Sequence, residues 1–384
     1  MSRITHMFEE VKEQADLLTQ GAKDIEQQVK DLVAKYPSLK KTNKIFIVGC
    51  GDSYYAGIAC QQLLYKYLGI SVEVYQALEF SRYAYETCDE NSVVLAVSNS
   101  GMVARTVECA LRAKEMGALA LGITSNKQSP LAQMSRDIIE IKIPPVVGLV
   151  PGTRSYAGSM VSLAIFGFVL AEELGRISEA GKEEALAYLG KVGTIMRDTV
   201  ENNFDQISKY VNEYVGPGKE VSIYHVLGSG PNYATAQFGT MKLLEAAGFE
   251  SIPQGIEEWA HSQYFVTHKG SHVIFILPKG RAYDRALEVM QAVKVVDGKV
   301  IVIAEEDDEE VKKYANFVWT IKGESIREEF TPFVYAVPLE ILSFLMAKAL
   351  DKNPMDFDEK PWKKAENFRQ IFKSNIVSME KLEQ

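Results

Sequence analysis

Apolar residues in the first 36 positions recur at helical spacing, at Met7, Val11, Ala15 and Leu18 and then at Ile25, Val29, Leu32 and Val33, with charged residues between them. That period predicts an amphipathic helical arm, which Pro37 ends. Beyond it the period changes. Residues 44–48 (KIFIV) form a short apolar run closed by Gly49-Cys50-Gly51, and a helical pattern follows through Tyr67. Further strands are predicted at 93–97, 118–123 and 138–143. Strands alternating with helices predict an α/β domain with a parallel sheet covered on both faces. The apolar run 160–171 (MVSLAIFGFVLA) reads as a buried helix, too short to span a bilayer. From Glu172 to Lys219 the pattern is polar and helical. A second series of strands is predicted at 221–227, 273–277, 299–304 and 317–321, followed by an apolar helix at 338–350 and a tail rich in Lys and Glu.

The two series are copies of one unit. Adding 179 to a position in the first lands on its counterpart in the second: Gly49 on Gly228, Gly51 on Gly230, Gly69 on Gly248, Phe80 on Trp259 and Gly101 on Gly280. We place an N-terminal arm at 1–40, a first α/β unit at 41–215, a second at 216–350 with the boundary near Pro217, and a tail at 351–384. Duplicated units diverge where their tasks diverge. Ser98 and Ser100 at a strand end of the first copy become Leu277 and Lys279, whereas Glu245 and His261 of the second stand opposite Lys66 and Arg82. One copy is built to hold an anion, and the other to move protons.

Composition narrows the classes. The 384 residues are 47% hydrophobic and 24% charged, as expected of a globular chain with two real cores. A net charge of −9 without a basic stripe argues against a nucleic-acid partner, and residues 35–44 (KYPSLKKTNK) read as a solvated linker. Cys50, Cys60, Cys88 and Cys109 lack metal-ligand spacing and fit reduced thiols in a cytoplasmic protein. The charged N-terminus has no signal-peptide core, and no membrane association, metal or other cofactor is expected.

In a parallel sheet the ligand sits beyond the carboxyl ends of the strands, where helix N-termini point free amides. Ser98-Asn99-Ser100-Gly101, with Thr106 and the adjacent Thr124-Ser125-Asn126, could cradle phosphate oxygens there, or could simply cap helices. Gly49-Cys50-Gly51-Asp52-Ser53 lacks the third glycine of a dinucleotide site and recurs as Gly228-Ser229-Gly230, so the turn belongs to the unit itself. Glu245 lies in an apolar helix, where a carboxylate is paired, solvated or catalytic; Lys242 one turn earlier offers an ordinary ion pair. His261 can equally be a packed core histidine.

These motifs, together with Lys242-Leu243-Leu244-Glu245, Glu258-Trp259-Ala260-His261, Pro332-Phe333 and Val337-Pro338-Leu339-Glu340, resemble the tandem sugar isomerase (SIS) domain family. Within it the chain is similar to the isomerase domain of glucosamine-6-phosphate synthase and to fructosamine-6-phosphate deglycases. The resemblance implies two tandem SIS-type αβα sandwiches and a sugar-phosphate substrate. It implies phosphate binding by Ser53, Ser98, Asn99, Ser100 and Thr106, and substrate contacts from Gly51, Asp52, Ser155 and Glu258. Glu245 would shuttle a proton between C1 and C2 and His261 would open the sugar ring, with Lys242 and a tail lysine, Lys373 or Lys360, completing the catalytic set. A homodimer with shared sites is implied as well. Departures from the family pattern are Met102-Val103 after Gly101, Glu257-Glu258 before the histidine and Ser262-Gln263 after it. With one helical arm ahead of the first unit, no glutaminase domain is expected. The expected activity is that of a deglycase, deaminase or aldose–ketose isomerase on a 6-phosphorylated sugar or amino sugar, the alternative being a non-catalytic sensor.

Overall fold

The computed structural model describes residues 2–144, 150–355 and 369–382. Two five-stranded parallel sheets form. The first has the order β2-β1-β3-β4-β5, from β1 (Lys44–Gly49), β2 (Ser71–Gln76), β3 (Ser92–Val97), β4 (Leu119–Thr124) and β5 (Asp137–Glu140). The second runs β7-β6-β8-β9-β10, from β6 (Ile223–Gly228), β7 (Ser251–Gly255), β8 (Ser271–Ile276), β9 (Lys299–Glu305) and β10 (Phe317–Ile321). Every residue of β3 and of β8 is buried, because helices cover both faces, and this makes such strands read as continuous apolar runs.

The copies agree residue by residue. Lys44 pairs with Ser71 and Ser92, and at the same offsets Tyr224 pairs with Ser251 and Ile223 with Ser271. The helices Asp52–Leu68 and Pro231–Ala247 begin after Gly51 (φ +55°, ψ −129°) and Gly230 (φ +56°, ψ −132°), a backbone shape that only glycine adopts without strain. The cores match too. Val48, Phe80, Val94 and Ala96 are replaced at equivalent positions by Leu227, Trp259, Val273 and Phe275.

Two strands were not anticipated, β2 and β7. Both are edge strands with half-exposed residues, so neither shows a continuous apolar run, and β7 tolerates Pro253 because an edge has a free side. The arm is three helices, Arg3–Glu13, Ala15–Thr19 and Ala22–Lys35, interrupted at Gln14 and at Gly21, where the amides of Gln20 and Gly21 both donate to the Asp16 carbonyl. The apolar run 160–171 belongs to a 20-residue helix, Arg154–Glu173, which is long enough to cross a membrane; 89% of its apolar window is instead buried within the protein. The stretch Glu328–Ala349 is also long enough, and its apolar part is wholly buried within the protein.

Among the described residues the chain divides into two compact units. One takes 16–144, 154–190 and 369–382, with the first sheet; the other takes 2–15, 150–153 and 191–355, with the second. The division falls inside the 36-residue helix Glu179–Tyr214, ahead of Pro217.

Candidate active site

In the first unit the chain leaves β1 to one side for β2 and to the other for β3, so the crevice at the carboxyl ends of β1 and β3 is the topological switch point. Gly51, Asp52 and Ser53 stand at the end of β1 and Ser98 to Gly101 at the end of β3. Asp52 and Ser53 open the helix Asp52–Leu68 and are partly exposed. Ser98 is buried and its amide donates to the Ile123 carbonyl at 3.0 Å. Ser100 is exposed, and its hydroxyl accepts from the Met102 amide at 3.2 Å. Gly101 has φ +65°, and a Cβ there would lie 2.0 Å from the Ser129 hydroxyl. A side chain at 101 would therefore close the turn. The helix that follows, Ala104–Glu115, has Val103 as its N-cap and no side-chain cap, so Ser98 and Ser100 are not capping it.

The hydroxyls of Thr124 and Ser125 donate to the Asn99 carbonyl at 3.0 and 2.8 Å, so that segment braces the turn rather than facing a ligand. Thr106 is fully buried in the helix Ala104–Glu115 and lies against the Cys50 thiol, which burial raises above its ordinary pKa. Its hydroxyl is buried beside the Gly49-Cys50-Gly51 turn, with no hydrogen-bond partner among the described residues. Ser155 is the second residue of the helix Arg154–Glu173, partly buried, with its carbonyl accepting from Ser159. Lys373 is exposed and follows the helix Arg369–Phe372; Lys360 lies outside the described residues.

The second unit holds the other residues. Lys242 is wholly buried, and its Nζ donates to Glu245 Oε2 at 2.6 Å while lying 5.0 Å from the centre of the Phe238 ring. Glu245 keeps 27% of its side chain exposed. The ordinary helical pair is present, but its geometry is lopsided: an ammonium is buried to hold a carboxylate that looks outward. The first copy has core Leu63 at the lysine's position. His261 is no core histidine. It is 68% exposed at the end of the helix Ile256–His261, with Nε2 3.3 Å from Glu257 Oε1. Glu257 also takes the Arg285 guanidinium at 2.6 Å, which holds its carboxyl below the usual range. Glu258 is exposed, its carbonyl accepting from the Ser262 hydroxyl at 2.7 Å. This short helix is pinned by buried Trp259, whose Nε1 donates to His225 Nδ1 at 3.1 Å.

Two tandem five-stranded parallel sheets, each with a glycine turn at its switch point, are the architecture that the comparisons recover. The SIS domain pattern matches residues 38–167 and again 220–349. The chain belongs to the SIS domain family. Curated relatives of this SIS protein include the glutamine–fructose-6-phosphate aminotransferases (isomerizing) of Aquifex aeolicus, 28% identical over 81% of this chain and 50% of the relative, and of Thermus thermophilus, 27% identical over 82% and 50%. It spans about half the length of the curated relatives it matches. Among solved structures it resembles the C-terminal domain of glucosamine-fructose-6-phosphate aminotransferase from Francisella tularensis, with a TM-score of 0.75 at 24% identity over 90% of this chain and 96% of that one. It also resembles a glucosamine-6-phosphate deaminase from Thermotoga maritima, with a TM-score of 0.68 at 18% identity over 93% and 97%.

Sequence reasoning missed a group of charges beside the cradle. Glu108 is wholly buried with Arg82 2.9 Å away, Arg112 at 3.3 Å and Arg105 in contact. The spacing Arg105, Glu108, Arg112, Glu115 on one helix face was the available signal.

Proposed function

We propose that this protein processes a phosphorylated sugar or amino sugar by moving a proton between adjacent carbons. The observation that carries the reading is the buried Lys242 holding the outward-facing Glu245. A structural ion pair on a helix gains little from burying its cation, whereas a general base gains a fixed position. In this reading Ser53, Ser98, Asn99, Ser100 and Thr106 hold the phosphate beside the turn that ends in Gly101. Gly51, Asp52, Ser155 and Glu258 contact the sugar. Glu245 takes the proton from one carbon and returns it to the next through an enediol or eneaminol, with loss of the amine if the substrate carries one. His261 and Lys373 serve ring opening, and a positioned base contributes roughly 10²- to 10⁴-fold. The relatives' names support the substrate class, since each speaks of a 6-phosphorylated sugar or amino sugar.

The test is a substrate panel. Ammonia or amino-acid release from phosphorylated glucosamine and from fructosyl-amino-acid phosphates is compared with isomerisation of fructose 6-phosphate. Release identifies a deaminase or deglycase, and interconversion alone an isomerase. Binding without turnover of any of them leaves a sensor. We also propose a cytoplasmic homodimer in which exposed His261 completes the neighbour's site. Mixing Glu245→Gln and His261→Ala chains should then restore about half-normal activity per mixed dimer, since one of its two sites carries neither defect. No recovery after confirmed subunit exchange removes that arrangement.

A further inference from the structure

The helix Ala104–Glu115, which starts three residues after Gly101, carries a line of alternating charge whose partners lie far away in sequence. Arg105 donates to the Ser374 hydroxyl at 3.3 Å and to the Asn375 carbonyl. Arg112 donates to the Val377 carbonyl. The amide of Val377 donates to Glu108 Oε1 at 3.4 Å, and that of Met379 to Glu115 Oε1 at 3.3 Å. Met379 packs against the core that contains Phe80 and Cys109.

The spacings explain why the two segments fit. Steps of three or four residues along a helix advance about 5 Å, and steps of two along an extended chain about 6.6 Å, so successive charges meet successive backbone groups. Arginines meet carbonyls and glutamates meet amides. The partners are mostly main-chain atoms, so the register is set by charge order on the helix rather than by tail side chains. The arginines also need the tail. Arg112 and Glu108 are wholly buried and Arg105 is nearly so, and the guanidinium groups around one buried carboxylate leave Arg112 with a donor that water does not reach. The tail carbonyls accept from Arg105 and Arg112.

We propose that Arg105, Glu108, Arg112 and Glu115 form a clamp that fixes residues 374–379 in register and thereby sets Lys373 beside the Ser98–Gly101 turn. The tail runs along the helix from its first turn, at Arg105, towards its last, at Glu115, so the residue before Ser374 falls at the end from which the turn emerges. Arg105 and Arg112 are positioning residues that act through Lys373. The value of that position to a phosphate rests on the function proposed above; the clamp itself does not.

Hydrogen exchange tests the clamp. Arg112→Ala should speed exchange of the Val377 and Met379 amides at least tenfold while the β1 and β3 amides stay protected. Because Arg112 is buried, Glu115→Ala is the milder second variant, expected to release Met379. Unchanged tail exchange in a folded variant of both kinds overturns the clamp. Its link to Lys373 is read from affinity for fructose 6-phosphate in Arg112→Ala, Lys373→Ala and the double variant. If Arg112 acts through Lys373, the double variant binds no more weakly than Lys373→Ala alone. Additive losses, or no loss in Lys373→Ala, overturn the positioning role. A wild-type chain that binds no sugar phosphate while its tail exchange obeys the clamp overturns the function reading alone.

Discussion

The two strand-end turns that the duplication places in register, Ser98–Met102 and Leu277–Arg281, differ in backbone. Gly101 has φ +65° and donates to the Ser98 carbonyl, while Gly280 stays outside the left-handed region and donates to the Pro278 carbonyl, and the two turns satisfy their next amide in different ways. In the first, the Met102 amide donates to the exposed hydroxyl of Ser100 at 3.2 Å, two residues back. In the second, the equivalent Arg281 amide donates to the carboxylate of Glu328, also at 3.2 Å. A Cβ on Gly280 would lie 2.4 Å from Glu328 Oε1, so the carboxylate occupies the room that glycine leaves. Only about 10 Å³ remains among Ser229, Leu277, Pro278, Tyr283 and Glu328. Lys279, where the first copy has Ser100, is paired with Asp307 at 3.0 Å. Both glycines are closely covered, so the contrast lies in what covers them: neutral hydroxyls of Ser129 and Thr124 at Gly101, and a carboxylate, an anion of the chain's own, at Gly280. Strand-end turns can thus change the charge they present without a change in any strand.

The comparison breaks first at Glu245, because the proton-moving task is assigned to the second copy alone. Glu245→Gln should lower turnover of the substrate found by the panel by at least about 10²-fold, roughly 2.7 kcal/mol, with sugar-phosphate affinity nearly unchanged. Single-turnover kinetics beside a binding titration decide it. If more than about a tenth of the rate survives, well short of the loss a missing base brings, the Lys242–Glu245 pair is structural.

In the proposed function the anion-holding task falls to the first copy. Ser98→Ala with Ser100→Ala should weaken a phosphorylated ligand by about 1.5–3 kcal/mol per lost charge-assisted hydrogen bond and spare the unphosphorylated sugar. Calorimetry with both ligands separates the cases, equal losses meaning that these hydroxyls only brace the turn.

All five histidines lie in the second unit, which makes the copies differ in acid. Burial pulls His225 and His272 down to about 4 from an ordinary 6.5. Their folded-state pKa lies below the unfolded one, so the unfolded chain takes up protons first as pH falls. The stability they contribute is complete above about pH 6.5 and is lost progressively towards pH 4. At about 1.4 kcal/mol per pKa unit the loss approaches 2–3 kcal/mol for each. Hydrogen exchange at pH 7 and pH 5 should therefore show β6 and β8 losing protection while β1 and β3 keep theirs. Parallel loss in both sheets contradicts the assignment.

How much of this was legible depended on range. The duplicated glycines carried the sheets because a turn with φ near +55° admits little else, and the buried strands announced themselves as apolar runs. The edge strands β2 and β7 did not, since half-exposed positions carry mixed residues. Ser98 and Ser100 stood out because their counterparts are not hydroxyls, while the burial of Thr106 beside Cys50 and the bracing by Thr124 and Ser125 depend on helix phase and local geometry. Glu328 is 48 residues from Gly280, and Ser374 and Val377 are more than 250 residues from their arginines. No local pattern reports such contacts.

The smallest expected effect sharpens the opening comparison most. Glu328 is partly exposed, so its hydrogen bond to the Arg281 amide and its ion pair with the Arg281 side chain, 3.7 Å away, contribute modestly. Glu328→Ala should cost about 1 kcal/mol and loosen the backbone around residues 280–283, read as faster amide exchange there, while Glu328→Gln keeps the acceptor and most of the protection. Added inorganic phosphate then discriminates. If Glu328 stands in for a bound anion, phosphate should slow exchange at 280–283 in Glu328→Ala and leave wild type unchanged, because only the variant has an empty turn to occupy. If phosphate protects neither, the second turn has lost its affinity for anions along with its serines, and the carboxylate serves only to fill space and satisfy one amide.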